Sequence, residues 1–260
     1  MSEVRNSLKE RLARGEVASS MTVRLTRGIE IAQLARTAGF DSLYIDLEHS
    51  SLSLETTSQI CVAALGCGIA PLVRVPQLEL VQRVLDGGAL GVIAPDVRSA
   101  DQAREIVRAA KYPPQGERGF ASVLAQLQYR TVPTRELYAA LNDATMVIVQ
   151  FESAEAIECA EEIFAVEGVD MALFGTNDLT ADMGIPGDYE NPRVRDAYAR
   201  AIAAAKKHGK HVGVGGLGGR PKLTAEFVKM GARYVSTGTD LGFLLSAATA
   251  SASQVRALET

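Results

Sequence analysis

The sequence predicts an α/β protein in which eight parallel strands, each followed by a helix, close into a (β/α)8 TIM barrel spanning residues 1–260 as one domain. Three observations predict it. Eight short apolar runs alternate with longer amphipathic stretches. Most of these runs are nearly continuous in Val, Ile, Leu, Ala and Phe, the pattern of strands covered on both faces. The 260 residues, 47% hydrophobic, suit one such barrel, and no polar linker or low-complexity segment divides them. An open doubly wound sheet is the alternative topology for the same alternation.

The predicted strands are Ala18–Val23, Ser42–Asp46, Ala70–Val75, Gly91–Pro95, Thr145–Glu152, Val169–Gly175, His211–Gly215 and Tyr234–Gly238. Between them the apolar spacing turns helical over Gly28–Ala38, Ser53–Gly66, Leu78–Gly87, Ala100–Ala110, Ser153–Phe164, Pro192–His208 and Lys222–Gly231. Several of these stretches stop at a Gly just past the last periodic residue. The N-terminal Met1–Glu16 is charged and helical in pattern. One connection is long, Asp96–Ala144, with an irregular Lys111–Thr134 part, and long βα connections often carry function. Phe120, Phe151, Tyr129 and Phe243 read as packing residues, with Phe120–Tyr129 alternatively a lid over a neighbour's site.

Composition excludes several classes. A net charge of -4 leaves no basic stripe for a phosphate backbone, so nucleic acid is not an expected partner. No run of about twenty apolar residues predicts a membrane span, and the expectation is a cytoplasmic protein. Cys61, Cys67 and Cys159 fit no zinc or redox spacing and read as small buried hydrophobes.

In a parallel barrel, chemistry sits where the strands end. Four predicted strand ends carry ionisable groups: Asp46-Leu47-Glu48-His49, then Arg74, Glu152 and, just past Gly175, Asp178. His208 and His211 flank a Lys-rich helix end at the entry to a strand, on the opposite face, where cations suit a helix C-terminus. His49, among carboxylates, is the candidate general base, with Asp46 and Glu48 in support. Glu152 and Asp178 admit two readings. They are either the two hard ligands of a divalent cation, or solvated loop acids, with Asp178 as a helix cap. No thiolate or second His favours zinc, so Mg2+, Mn2+ or a similar ion such as Co2+ is expected if a metal binds. Arg74 ends an apolar strand and demands an anion, either a structural carboxylate or a substrate oxygen. No Lys terminates a predicted strand, which disfavours Schiff-base chemistry.

Across nearly its whole length the chain resembles the HpcH/HpaI-type class II pyruvate aldolases. The segments that carry this are Ala38-Gly39-Phe40-Asp41 with Ile45-Asp46-Leu47-Glu48-His49, then Val73-Arg74-Val75-Pro76 and Val84-Leu85-Asp86-Gly87-Gly88-Ala89. Tyr112-Pro113-Pro114-Gln115-Gly116-Glu117-Arg118-Gly119, Gln150-Phe151-Glu152 and Phe174-Gly175-Thr176-Asn177-Asp178-Leu179 follow in the same order. The resemblance implies reversible cleavage of a 4-hydroxy-2-oxo acid to pyruvate, or a related 2-oxo acid such as hydroxypyruvate, and an aldehyde. It implies a divalent metal on Glu152 and Asp178, a proton relay by His49 supported by Asp86, and an enolate stabilised by Arg74. It further implies substrate contacts from Gln150, Gly175, Thr176, Asn177 and Asp178, and a homohexamer, a trimer of dimers, with the last helix packed on or exchanged with a neighbour.

The chain departs from the family pattern in four places. It has Gly175-Thr176-Asn177 where Gly-Pro is usual, a shorter loop Pro76-Gln77-Leu78-Glu79 after Arg74, no Trp at all, and five Gly in the seven positions 213–219. These leave the ionisable groups in place and bear on the aldehyde partner. The competing expectations are a CoA-ester lyase of the malyl-CoA or citrate-lyase type, a non-catalytic 2-oxo-acid-binding barrel, and a decarboxylase or isomerase using the same stabilised charge.

Overall fold

The structure is a computed structural model that describes residues 4–259. Its elements run in the order α1 (Ser7–Ala13), β1 (Ala18–Val23), α2 (Glu30–Thr37), β2 (Ser42–Asp46), α3 (Leu54–Cys67), β3 (Ala70–Arg74), α4 (Leu80–Asp86) and β4 (Gly91–Ala94). There follow α5 (Ala100–Ala110), α6 (Thr134–Ala144), β5 (Met146–Phe151), α7 (Ala154–Glu158), α8 (Ala160–Phe164), β6 (Met171–Gly175) and α9 (Thr176–Asp182). The chain ends with α10 (Pro192–Lys207), β7 (His211–Gly215), α11 (Pro221–Met230), β8 (Tyr234–Thr239) and α12 (Asp240–Arg256). The eight strands form one closed barrel in sequence order, all neighbours parallel. The open-sheet alternative is thereby excluded.

Alternation along the strands splits the core in two. One set, including Tyr44, Leu72, Ile93, Ile148, Leu173 and Tyr234, forms a cluster inside the barrel. Their neighbours, such as Leu43, Ile45, Val73, Val147 and Phe174, pack outward beneath the helices. The inner cluster also takes Leu8 and Leu12 of α1, and Asn6 donates to the carbonyls of Leu90 (3.2 Å) and Ala144 (2.7 Å). Helix α1 therefore plugs the N-terminal end of the barrel, with about 1.5–3 kcal/mol expected from each buried leucine. The other end stays open.

Caps follow the local sequence. Ser53, Ser99 and Ser153 each accept a backbone N–H from the first turn that follows, and Gly68 closes α3 in the left-handed region at φ 71°. The stretch expected as one helix over Ser153–Phe164 breaks at Cys159 (φ -88°, ψ 7°), with neither Gly nor Pro to signal it. The N-terminal helix is shorter than the expected Met1–Glu16, of which residues 1–3 lie outside the described residues. Of the four aromatic residues read as packing, only Phe151 is in the core. Phe120, Tyr129 and Phe243 are largely exposed on this chain. Among the described residues no helix is long and apolar enough to cross a membrane.

Candidate active site

The strand register assembles the site. Asp46 at the end of β2 pairs with Arg74 at the end of β3. The β1–β2 register, Val23 opposite Ile45, places Arg24 beside Asp46 one residue further on. Asp46 is fully buried and accepts from Arg74 Nε (2.9 Å) and Nη2 (2.6 Å), from Arg24 Nε (2.6 Å) and from the backbone N–H of Glu48 (3.0 Å) and His49 (3.3 Å). Burial alone would raise its carboxyl pKa, but the Arg74 hydrogen bonds and charge, then Arg24, outweigh burial and hold it at about 2. The third Arg74 nitrogen, Nη1, lies 2.7 Å from Glu48 Oε2. The anion that Arg74 requires is thus present in the protein itself, as one of the two expected partners.

His49 follows with its side chain 54% exposed at the rim, its Nε2 3.8 Å from Glu48 Oε2. It lines a cavity of about 710 Å³ at the open end, together with Arg74, Gln150, Glu152, Asn177 and Asp178. Gln150 and Glu152 come from the end of β5. Gln150 is buried and donates from Nε2 to Glu152 Oε1 at 2.8 Å. Glu152 Oε2 accepts the backbone N–H of Asp96 at 3.1 Å, and Asp96 sits at φ 48°, a left-handed conformation uncommon for a non-glycine residue. Gly175 ends β6 against this carboxylate, where a Cβ would fall 2.4 Å from Glu152 Oε1. A side chain there would push the Glu152 carboxylate out of this position. Burial and then the nearby charge of Asp178 push the Glu152 carboxyl up to about 7.

Asp178 lies in the first turn of α9 but does not cap it, since Gly175 holds the cap position. Its carboxylate makes no hydrogen bond or ion pair among the described residues. Two carboxylates share a pocket with no basic side chain bonded to either. That arrangement fits a hard divalent cation, with Glu152 and Asp178 as protein ligands and the remaining positions left to water or a chelating oxyacid. No group of three or more His, Cys, Asp or Glu residues gathers for a metal among the described residues, so a cation held by this pair would take its other ligands from outside that set.

Two expected residues fall elsewhere. The Thr176 hydroxyl is buried on Tyr198 Oη (2.9 Å) and the Gly215 carbonyl (2.6 Å), so its side chain serves packing. Asp86 ends α4, away from the rim, where Arg118 Nη2 donates to it at 2.7 Å, so within one chain it does not join His49. The glycine-rich 213–219 stretch has a local cause at two positions: Gly216 needs φ 79°, and a Cβ on Gly215 would lie 2.5 Å from the Phe174 carbonyl oxygen. Sequence reasoning missed Arg24, Tyr44, Asp96 and the β8 residues Ser236, Thr237 and Thr239, of which all but Asp96 line the cavity. The strand-end rule that selects Arg74 also selects Arg24. Lys111 is the one lysine buried among the described residues, and it lines a different cavity, so no lysine is set up for a Schiff base at the rim.

With this geometry in view, comparison with known proteins is decisive. Residues 26–247 match the HpcH/HpaI aldolase/citrate lyase family. The chain belongs to it. It is 39% identical to the 4-hydroxy-4-methyl-2-oxoglutarate aldolase of Hapsidospora irregularis, over 98% of this chain and 96% of that one. It is 35% identical to the 4-hydroxy-2-oxo-heptane-1,7-dioate aldolase of Escherichia coli, over 98% and 97% of the two chains. Among solved structures, an HpcH/HpaI aldolase from Desulfitobacterium hafniense superposes with a TM-score of 0.90 at 32% identity, covering 96% of each chain.

Proposed function

We propose that this family member is a metal-dependent aldolase that reversibly cleaves a 4-hydroxy-2-oxo acid to pyruvate, or a related 2-oxo acid, and a carbonyl compound. The observation that carries the reading is the Glu152–Asp178 pair. These are two carboxylates at neighbouring strand ends, one of them half-buried, with no cationic side chain bonded to either. The named relatives act on acids that share the 4-hydroxy-2-oxo core. Relatives at this identity are aldolases, which does not favour a CoA-ester lyase or a binding barrel.

A divalent cation, Mg2+, Mn2+ or Co2+, would polarise the keto oxygen as a Lewis acid. The chain's own residues do the rest. Gln150 and the Asp96 N–H fix the Glu152 carboxylate in one orientation. His49 takes the proton of the 4-hydroxyl as the C3–C4 bond breaks, and the bonding pair passes to C3 and the keto oxygen. Arg74, locked by Asp46, brings a preorganised positive charge to that oxygen when the half-exposed Glu48 gives way at Nη1. Asn177 borders the same space and positions the 2-oxo acid, beside the Gly175 backbone.

Exposed apolar side chains argue for assembly. Leu241, Leu244, Leu245, Val255 and Leu258 stand on or just after α12 without cover on this chain, as do Phe120 and Tyr129 in the long connection. A homohexamer, a trimer of dimers with α12 packed on or exchanged with a neighbour, would cover them. We place the protein in the cytoplasm, acting on small molecules alone.

The test is aldol cleavage and addition, with pyruvate as donor, in the presence of Mg2+, Mn2+ or Co2+ and again with EDTA. Wild-type turnover is expected to vanish with EDTA and return with the cation. Glu152→Gln and Asp178→Asn should each lose at least about 10³-fold, since each removes half of the protein's hold on a strong Lewis acid. Full activity in either variant refutes the ligand assignment.

A further inference from the structure

One cation at the rim is held firmly and left half used. Arg24 follows the last residue of β1. Buried Asp240 accepts the backbone N–H groups of Arg24 (3.0 Å), Leu25 (3.0 Å) and Thr26 (2.7 Å), which fixes the main chain there. Arg24 Nε is fixed in turn on Asp46 Oδ2 at 2.6 Å. Its two terminal nitrogens, Nη1 and Nη2, make no hydrogen bond among the described residues. The side chain lines the active-site cavity and is 35% exposed.

Asp46 does not explain this arrangement. Both its oxygens already receive Arg74, and two backbone N–H groups bond to it as well. Arg74 has a carboxylate on each of its nitrogens, whereas Arg24 has one on a single nitrogen. With Glu152 and Asp178 assigned to a cation, Arg24 is the guanidinium of the cavity whose outer edge remains open to a ligand. The wall beside it is polar, with the hydroxyl residues Thr22, Ser236, Thr237 and Thr239. A surface arginine with no task would keep its rotamer freedom, and this one does not.

We infer that Arg24 determines specificity by binding the carboxylate of the carbonyl partner. In the synthetic direction the acceptor is then a short carbonyl compound that carries its own carboxylate, 2-oxo acids included. The inference rests on the aldolase reading above and adds the residue that would recognise the second substrate. The planar Nη1–Nη2 edge offers two parallel donors, the geometry a carboxylate accepts best. A neutral aldehyde of the same size would displace water from this edge and return no hydrogen bond, so it is discriminated against.

The experiment compares kcat/KM for addition of pyruvate to glyoxylate and to propanal, acceptors of similar size with and without a carboxylate. Both are measured on one preparation of wild type, Arg24→Lys and Arg24→Met, so that their ratio is independent of the folded fraction. Wild type should favour glyoxylate. In Arg24→Met the glyoxylate-to-propanal ratio should fall about 10- to 100-fold, the worth of a charge-assisted hydrogen bond. Arg24→Lys should lie between, since the charge stays and the fork is lost. An unchanged ratio, with both rates falling together, would mean that Arg24 only steadies Asp46, and the inference is overturned. A wild type with no preference for glyoxylate overturns it too, with the aldolase reading intact. A wild type that joins pyruvate to neither acceptor under any of the three cations overturns that reading and this inference together.

Discussion

The two ends of the barrel each hold a cavity and buried charge, and they use them differently. At the N-terminal end, a cavity of about 1120 Å³ is lined by Lys111 and Asn142. Both are spent on the protein itself: Lys111 Nζ donates to the carbonyls of Asn142 (2.6 Å) and Thr145 (2.5 Å), and Asn142 pairs both ways with the Tyr112 backbone. At the C-terminal end the cavity is smaller, about 710 Å³, yet Asp178, His49 and the outer edge of Arg24 face it without a close hydrogen-bond partner among the described residues. Size does not mark the site. What marks it is ionisable groups gathered at one rim and left unpaired by the protein, open to a ligand.

Arg74 is the residue that most directly challenges this division, because it sits at the rim but is paired like a structural group. Removing it leaves Asp46 buried without its bidentate partner, so Arg74→Met should lose about 3–5 kcal/mol of stability by denaturant unfolding. If Arg74 also meets substrate oxygen, kcat per folded molecule should fall by about 10²- to 10³-fold, comparable to losing an oxyanion donor. A change confined to KM would move Arg74 to the structural side of the comparison.

How much of this contrast could be read from the chain depends on which interactions are local. The barrel was legible because strands buried on both faces leave continuous apolar runs; β1, β2 and β7 fall on their expected residues. Asp46, Arg74 and Glu152 were legible because strand ends are legible. The pairing of Arg24 with Asp46, or of Tyr44 Oη with Gln150 Oε1 across the barrel at 3.5 Å, depends on closure and register, which no local pattern encodes. Helix α9 begins directly at the end of β6 with no side-chain cap to announce it. Helix α6 did carry a signal, Leu137 and Leu141 one turn apart and both buried, but it lies within the long connection. Asp86 was singled out by motif order alone, which says nothing about which end of a helix faces the rim of its own barrel.

His49 sharpens the comparison from the other side, as an unpaired rim group with little packing to lose. His49→Ala should leave the unfolding transition near wild type, as an exposed side chain is removed. Aldol cleavage should fall about 10²-fold, the lower range of general-base catalysis. Oxaloacetate decarboxylation, which removes no hydroxyl proton, should suffer much less. Equal losses in the two reactions would show that His49 shapes the site and does not carry the proton.

The lower cavity carries the remaining effect, in an alkaline window that the rim carboxylates do not share. Burial lowers the Lys111 pKa to about 8 from an ordinary 10.5. Between these values the unfolded chain holds a proton that the folded chain has released, so stability rises with pH. Below pH 8 the full cost of the buried ammonium is present, and it is relieved as the pH climbs toward 10.5, at about 1.4 kcal/mol per pH unit at most. Lys111→Met should lower stability at neutral pH, because the carbonyls of Asn142 and Thr145 lose their donor. The variant should also lack the alkaline rise. Denaturant unfolding at intervals from pH 7 to pH 10.5 measures both curves, and their difference cancels other titrating groups. Parallel curves would mean that Lys111 keeps its proton throughout this range, held by the two carbonyls more firmly than burial opposes it.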